Sequence, residues 1–123
     1  MKIEVRNLTK RFGPVEAVSD VSFGVHEGEL LGLLGPSGSG KTTVLRIIAG
    51  LEAPTEGDIF IDQVRVNELP VQQRKIGFVF QHYALFKHMT VFENVAFGLS
   101  VKKWSRRDIA QRVSELLRLM GLD

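Results

Sequence analysis

Apolar and polar residues alternate near the start of the chain with a period of two, which is typical of β-strands. Residues 3–10 predict one strand of this kind, and residues 17–25 predict a second. The sequence Phe12-Gly13-Pro14 between them has the composition of a turn. Two alternating strands joined by a short turn favour an antiparallel layer.

Two later runs are strongly apolar and do not alternate. Residues 30–34 predict a strand with apolar side chains on both faces, which favours burial between parallel neighbours. Residues 76–80 predict another apolar strand. Between these runs, a turn at 54–57 precedes a short strand at 58–62, and residues 63–73 are predicted to be mostly loop.

Helical spacing of apolar residues appears first at residues 43–49, and Gly50 is placed to end that helix. From His82 onward the pattern again becomes helical and is rich in aromatic residues. The clearest amphipathic helix spans 105–120, with Ser105 predicted to cap its start. Its predicted apolar face contains Ile109, Val113, Leu116, Leu117 and Met120.

A glycine-rich loop links the apolar run 30–34 to the first predicted helix. Residues 35–42 match the pattern G-x-x-x-x-G-K-T, the Walker A sequence. Glycines let backbone N–H groups turn toward phosphate oxygens, and the helix N-terminus adds free donors. Lys41 is placed to reach the β- and γ-phosphates, and the Thr42 hydroxyl to bind Mg²⁺. The residues predicted to bind the nucleotide phosphates are Gly35, Pro36, Ser37, Gly38, Ser39, Gly40, Lys41, Thr42 and Thr43.

The strands, the loop and the helices together predict an α/β fold. Its parts are a P-loop NTPase core, an antiparallel β-layer and the start of a helical subdomain. At 123 residues, the chain is one domain or part of one. A net charge of +2 gives no argument for a nucleic-acid partner, and the absence of cysteine excludes thiolate chemistry.

The order and spacing of three features resemble the N-terminal part of the ATP-hydrolysing subunit of an ABC transporter. These features are Phe12, the loop 35–42, and Gln81 directly after the apolar run 76–80. The resemblance implies that Phe12 stacks on adenine and that Gln81 directs its amide oxygen toward Mg²⁺ or the attacking water. It thus implies ATP and Mg²⁺ as cofactors, Lys41 and Gln81 as catalytic residues, and Thr42 with Gln81 as metal ligands. Without the resemblance, the pattern favours a turn aromatic that packs on the β-layer for Phe12 and a polar strand-end residue facing solvent for Gln81.

Residues 80–99 resemble the importer subgroup of that family, and within it their sequence is most similar to that of sulfate/thiosulfate importers. ATPases of molybdate, sugar, polyamine or iron importers remain alternatives. The resemblance implies transmembrane permease subunits and a second ATP-binding subunit as partners, at the cytoplasmic face of the membrane. It also implies that residues 1–123 are the N-terminal part of a nucleotide-binding domain.

Three family motifs do not occur in these 123 residues: the LSGGQ signature, the acidic Walker B strand and the switch histidine. The chain is therefore expected to be an incomplete ABC ATPase domain that does not hydrolyse ATP by itself. The alternatives are a nucleotide-binding module without turnover and, from another class, a kinase-type P-loop enzyme.

Overall fold

The computed structural model describes residues 1–36 and 38–123 of the chain. These residues form two compact units, Met1–Phe78 and Val79–Asp123. The first unit contains a sheet and the glycine-rich loop, and the second consists of helices and connecting segments. Among the described residues, no helix is both long enough and apolar enough to cross a bilayer.

Four strands of the first unit form one antiparallel sheet. They are β1 (Ile3–Phe12), β2 (Val15–Val25), β3 (Glu56–Ile61) and β4 (Val64–Arg65), in the spatial order β2-β1-β3-β4. The turn between β1 and β2 has Gly13 at φ +59°, a conformation that favours glycine. The predicted antiparallel layer is therefore confirmed, and β1 extends two residues beyond its predicted end.

The first helix, α1 (Lys41–Ala49), begins at the glycine-rich loop and packs its apolar stripe against the sheet. Gly50 ends this helix with φ +87°, as the sequence predicts. Side chains of the helix and the sheet, with one residue just after β4, form a buried cluster. This cluster contains Val5, Leu8, Val18, Val44, Ile47, Ile48, Ile59, Ile61 and Val66.

The segment between β4 and the second apolar run is mostly irregular, as predicted, and includes one short helix, α2 (Val71–Arg74). The side chain of Arg74 turns inward from this helix and is buried. A buried arginine in a predicted loop is unusual, because an arginine side chain is rarely buried without partners.

The two predicted apolar strands, 30–34 and 76–80, are wrong for this structure. Neither run forms a strand, and Leu30, Leu34 and Val79 are 98%, 96% and 91% exposed. A strand needs a neighbour that completes its hydrogen-bond ladder, and neither run belongs to the sheet that β1 to β4 form. Leu33 and Ile76 still pack against the core, so each run retains one inward contact.

The second unit contains two helices, α3 (Val91–Val101) and α4 (Arg106–Leu119). Thr90 and Glu93 form a complete capping box at the start of α3. Helical structure was predicted from His82 onward, but residues 82–90 form turns and irregular backbone. The capping box explains this correction, because it satisfies the first amides of α3 and sets its start at Val91.

The predicted amphipathic helix at 105–120 is confirmed as α4. The Ser105 hydroxyl accepts a hydrogen bond from the Asp108 N–H at 3.1 Å, which is the predicted cap. Val113 is the buried centre of the apolar face. Met120, predicted to share that face, lies just past the helix and is 71% exposed.

Candidate functional site

The glycine-rich loop turns sharply before it enters α1. Gly38 and Gly40 adopt φ values of +81° and +91°, which few residues other than glycine tolerate. The Ser39 N–H donates to the Pro36 carbonyl oxygen at 3.1 Å and closes the turn. Ser37, predicted to bind phosphate, lies outside the described residues.

The start of α1 offers backbone donors without a competing side-chain cap. Gly40 is the N-cap residue, and its carbonyl oxygen accepts from the Val44 N–H at 2.9 Å. Since glycine has no side chain, it claims none of the first N–H groups of the helix. Thr42 is exposed at the second position of the helix, and Thr43 is half-buried beside it. This arrangement favours an anion, because the N-terminus of a helix carries partial positive charge.

The Lys41 side chain folds back over the loop. Its ammonium nitrogen donates to the carbonyl oxygen of Gly35 and, at 3.3 Å, to that of Pro36. The positive charge therefore lies beside the turn that presents the backbone donors. A cavity of about 490 Å³ adjoins the loop, and residues Ala17, Ser19, Ser39, Gly40 and Lys41 are among those that line it.

Phe12 occupies the last position of β1, directly before the turn. Phe12 is 47% exposed, so it offers an apolar surface to solvent. The Lys10 ammonium nitrogen lies 4.9 Å from the centre of this ring, within the range of a cation–π contact. The predicted stacking of Phe12 on adenine stays a prediction, and Lys10 is a partner of the ring that the sequence analysis missed.

Gln81 belongs to the second unit, where it is exposed in a turn after Phe80. It was predicted to end a strand, and the structure shows irregular backbone before it instead. Its predicted roles as a catalytic residue and a metal ligand stay predictions.

Arg74 is a second residue that the sequence analysis missed. Its Nη1 atom donates to the carbonyl oxygens of Ile47 and Ile48, at 2.9 and 3.0 Å, in the last turn of α1. Its Nε atom donates to the Leu69 carbonyl oxygen at 3.0 Å. Burial lowers the pKa of the Arg74 guanidinium from its ordinary value, but arginine retains its charge in proteins. This charge lies at the negative end of α1, opposite the glycine-rich loop.

No local pattern could have revealed this contact. Arg74 lies more than twenty residues after the helix that it caps, inside a segment with the composition of a loop. The only related signal is Gly50, whose missing side chain leaves room for the Arg74 guanidinium. That glycine was interpreted correctly as a helix end, but its second role depends on tertiary structure.

These features define a class of protein with a Walker A loop between a β-layer and a helix. The chain belongs to the ABC transporter family, whose model matches residues 18–123. Solved structures agree with this assignment. Two dimeric structures of MJ0796, described as a bacterial ABC transporter cassette, superpose with a TM-score of 0.85 at 36% identity. The match covers 98% of this chain and 58% of MJ0796, and one of the two structures contains ADP and Pi.

The chain is also similar in sequence to curated relatives that are named for one kind of import. The sulfate/thiosulfate import ATP-binding protein CysA 2 of Rhizobium meliloti is 56% identical over 99% of this chain and 34% of the relative. The sulfate/thiosulfate import ATP-binding protein cysA of Cucumis sativus is 58% identical over 100% of this chain and 36% of the relative. The sulfate/thiosulfate import ATP-binding protein CysA of Pectobacterium atrosepticum is 54% identical over 100% of this chain and 38% of the relative. The chain thus spans about a third of the length of the curated relatives that it matches.

Proposed function

We propose that the chain binds ATP with Mg²⁺ at the glycine-rich loop and thereby provides part of the ATP-binding subunit of an ABC importer. The observation that carries the proposal is the loop itself. Two glycines at positive φ, an N-terminus without a side-chain cap and the Lys41 ammonium lie together in the first unit. This combination of donors and charge suits a polyphosphate better than any neutral ligand.

The proposed roles follow the chemistry of each group. Backbone N–H groups of the loop, except at Pro36, which has none, would surround the phosphates, with Lys41 neutralising the β- and γ-phosphates. The hydroxyl of Thr42 and the amide oxygen of Gln81 would bind Mg²⁺, and Phe12 would stack on adenine. In phosphoryl transfer, the protein contributes mainly position and neutralising charge, and these residues supply part of both.

The substrate that we propose is sulfate or thiosulfate, and the relatives named for this import are the support. The partners would be transmembrane permease subunits and a second ATP-binding subunit, with the chain peripheral at the cytoplasmic face of the membrane. The dimeric MJ0796 structures support the second of these partners. Residues 1–123 would then be the N-terminal part of a nucleotide-binding domain.

The test is ATP binding by the chain and its Lys41→Ala variant, measured by isothermal titration calorimetry with Mg²⁺. Loss of a charge-assisted contact should weaken binding by at least about tenfold. Lys102→Ala, which removes an exposed lysine from the second unit, is the matched control and should bind as the parent does. Equal affinity of the parent and Lys41→Ala would contradict the proposed site.

A second candidate function is ATP binding without turnover. Phosphate release from the chain with Mg-ATP separates the two functions. Phosphate release that stops in Lys41→Ala would favour turnover at the glycine-rich loop, whereas binding with only background release would favour ATP binding without turnover.

A further inference from the structure

Lys10 makes two contacts that connect the exposed Phe12 to the segment that follows α1. Its ammonium nitrogen lies 4.9 Å from the centre of the Phe12 ring. The same nitrogen lies 3.1 Å from a carboxylate oxygen of Glu52. The Lys10 side chain is only 13% exposed, so the ammonium is held in a partly desolvated position. Lys10 and Phe12 are two residues apart on β1, which directs their side chains to the same face.

Glu52 is held in place from both sides. Just before it, the Leu51 N–H donates to the Arg46 carbonyl oxygen of α1 at 2.9 Å. Shortly after it, the Thr55 N–H donates to the Thr9 carbonyl oxygen of β1 at 2.9 Å. The carboxylate therefore belongs to a short segment that is fixed to the end of α1 and to the strand that carries Phe12. Its position can restrain the Lys10 ammonium.

The Phe12 ring needs such a restraint because of where it lies. It is at the end of a strand, next to a glycine turn, with about half of its surface exposed. A phenylalanine ring has no polar group through which the protein could fix its orientation. Any mobility of the ring would have to be lost when a base stacks on it, and this loss would weaken binding.

We propose that Lys10, held by Glu52, is a positioning residue that fixes the Phe12 ring for stacking on a nucleobase. This inference rests on the proposed function of the glycine-rich loop as the phosphate site. The ammonium lies against the ring and restricts its rotation, while the exposed part of the ring remains open to a planar ligand.

The experiment compares two ligands that differ in the base. Calorimetry measures the affinity of the 123-residue chain for Mg-ATP and for inorganic tripolyphosphate. Lys10→Gln should weaken ATP binding about two- to fivefold, the lower range for the loss of a cation–π contact, and leave tripolyphosphate binding unchanged. Lys10→Arg, which keeps both the cation and the carboxylate pair, should restore ATP binding.

The matched control is Arg11→Gln. Arg11 is the next residue on β1 and pairs with Glu16 and Glu56 instead of Glu52. Its loss removes the same charge from the same strand without touching the ring contact. The control should therefore leave the ratio of the two affinities unchanged, since a general electrostatic effect weakens both ligands alike.

A double-mutant cycle tests whether Lys10 acts through the ring. In a Phe12→Leu background, Lys10→Gln should have no further effect on ATP binding. An equal loss of ATP and tripolyphosphate in Lys10→Gln, or an undiminished loss in the Phe12→Leu background, would overturn the inference while leaving the proposed function intact. If the parent chain binds neither ligand, the proposed function fails, and the inference fails with it.

Discussion

A Cβ atom added to Gly40 would lie 2.4 Å from the carbonyl oxygen of Ala17. This oxygen belongs to the backbone of β2 and cannot move aside as a flexible side chain would. The absence of a side chain at Gly40 thus allows the glycine-rich loop to lie directly against the sheet. We expect Gly40→Ala to displace the loop, destabilise the first unit by about 2–4 kcal/mol and abolish ATP binding. Urea unfolding and calorimetry measure the two effects.

Gly38→Ala is the matched control for this prediction. Gly38 also has a positive φ, but a Cβ at this position would meet no atom within 4 Å. Gly38→Ala should lower the free energy of unfolding by only about 1–2 kcal/mol, which is the strain of a left-handed backbone at a residue with a Cβ atom. Equal stability of the two variants would show that conformation, and not contact with β2, determines the requirement for glycine at position 40.

The Arg74 guanidinium should contribute more to stability than any exposed arginine of the sheet. Arg74→Leu removes four hydrogen bonds. Their acceptors, carbonyl groups of α1 and of the segment between β4 and α2, would lose those donors. We expect a loss of about 2–5 kcal/mol in the free energy of unfolding. Arg74→Lys should recover only part of this loss, since a single ammonium cannot replace the planar fork.

The corresponding control is Arg6→Leu, which removes an exposed arginine that pairs with Glu4. It should change the unfolding midpoint little, because exposed ion pairs contribute little to stability. If Arg6→Leu shifts the unfolding midpoint as much as Arg74→Leu does, the buried Arg74 does not contribute more to stability than an exposed arginine.

Acid should weaken the contact between Arg65 and Glu68 next to the sheet edge. The Arg65 guanidinium donates to both Glu68 carboxylate oxygens, at 2.6 and 2.7 Å, and this lowers the pKa of Glu68. A lowered pKa in the folded state means that the contact stabilises the protein above the ordinary pKa of glutamate. This stabilisation is lost as the pH falls through the lowered value.

Urea midpoints at about pH 7 and about pH 3 should therefore differ less in Glu68→Gln than in the parent chain. Glu29→Gln, which changes an exposed glutamate outside this pair, serves as the control and should keep the parental difference. If the difference between the two urea midpoints in Glu68→Gln equals that of the parent chain, the Glu68 carboxylate does not contribute to acid destabilisation.

The N-terminal cap of α4 provides a prediction for the second unit. Ser105→Ala removes the acceptor of the Asp108 N–H and should reduce the stability of this unit by about 1 kcal/mol. Ser114→Ala makes the same substitution at an exposed position inside the same helix and should be neutral or slightly stabilising. Amide hydrogen exchange of α4 distinguishes the two. Faster exchange in Ser114→Ala than in Ser105→Ala would contradict the cap.

Much of the sheet and of the candidate site could be predicted from the sequence because the signals are local. Alternation defines β1 and β2, and the spacing of glycines with Lys41 defines the loop. The runs 30–34 and 76–80 show the limit of this approach. Their apolar residues indicate strands, but a ladder needs a partner that the run itself does not specify. Lys10 and Arg74 were missed for a similar reason, because their contacts join segments distant in sequence or depend on ring geometry.

The fit between Gly50 and Arg74 has an evolutionary consequence. A Cβ on Gly50 would stand 2.8 Å from the Nε atom of Arg74, so the two positions share one space. A relative that acquires a side chain at the position of Gly50 must shorten or displace the arginine, and then another group must cover the exposed carbonyls of α1. The two positions should therefore change together across the family, and a lone substitution at either one should mark a lineage in which the end of this helix has been rebuilt.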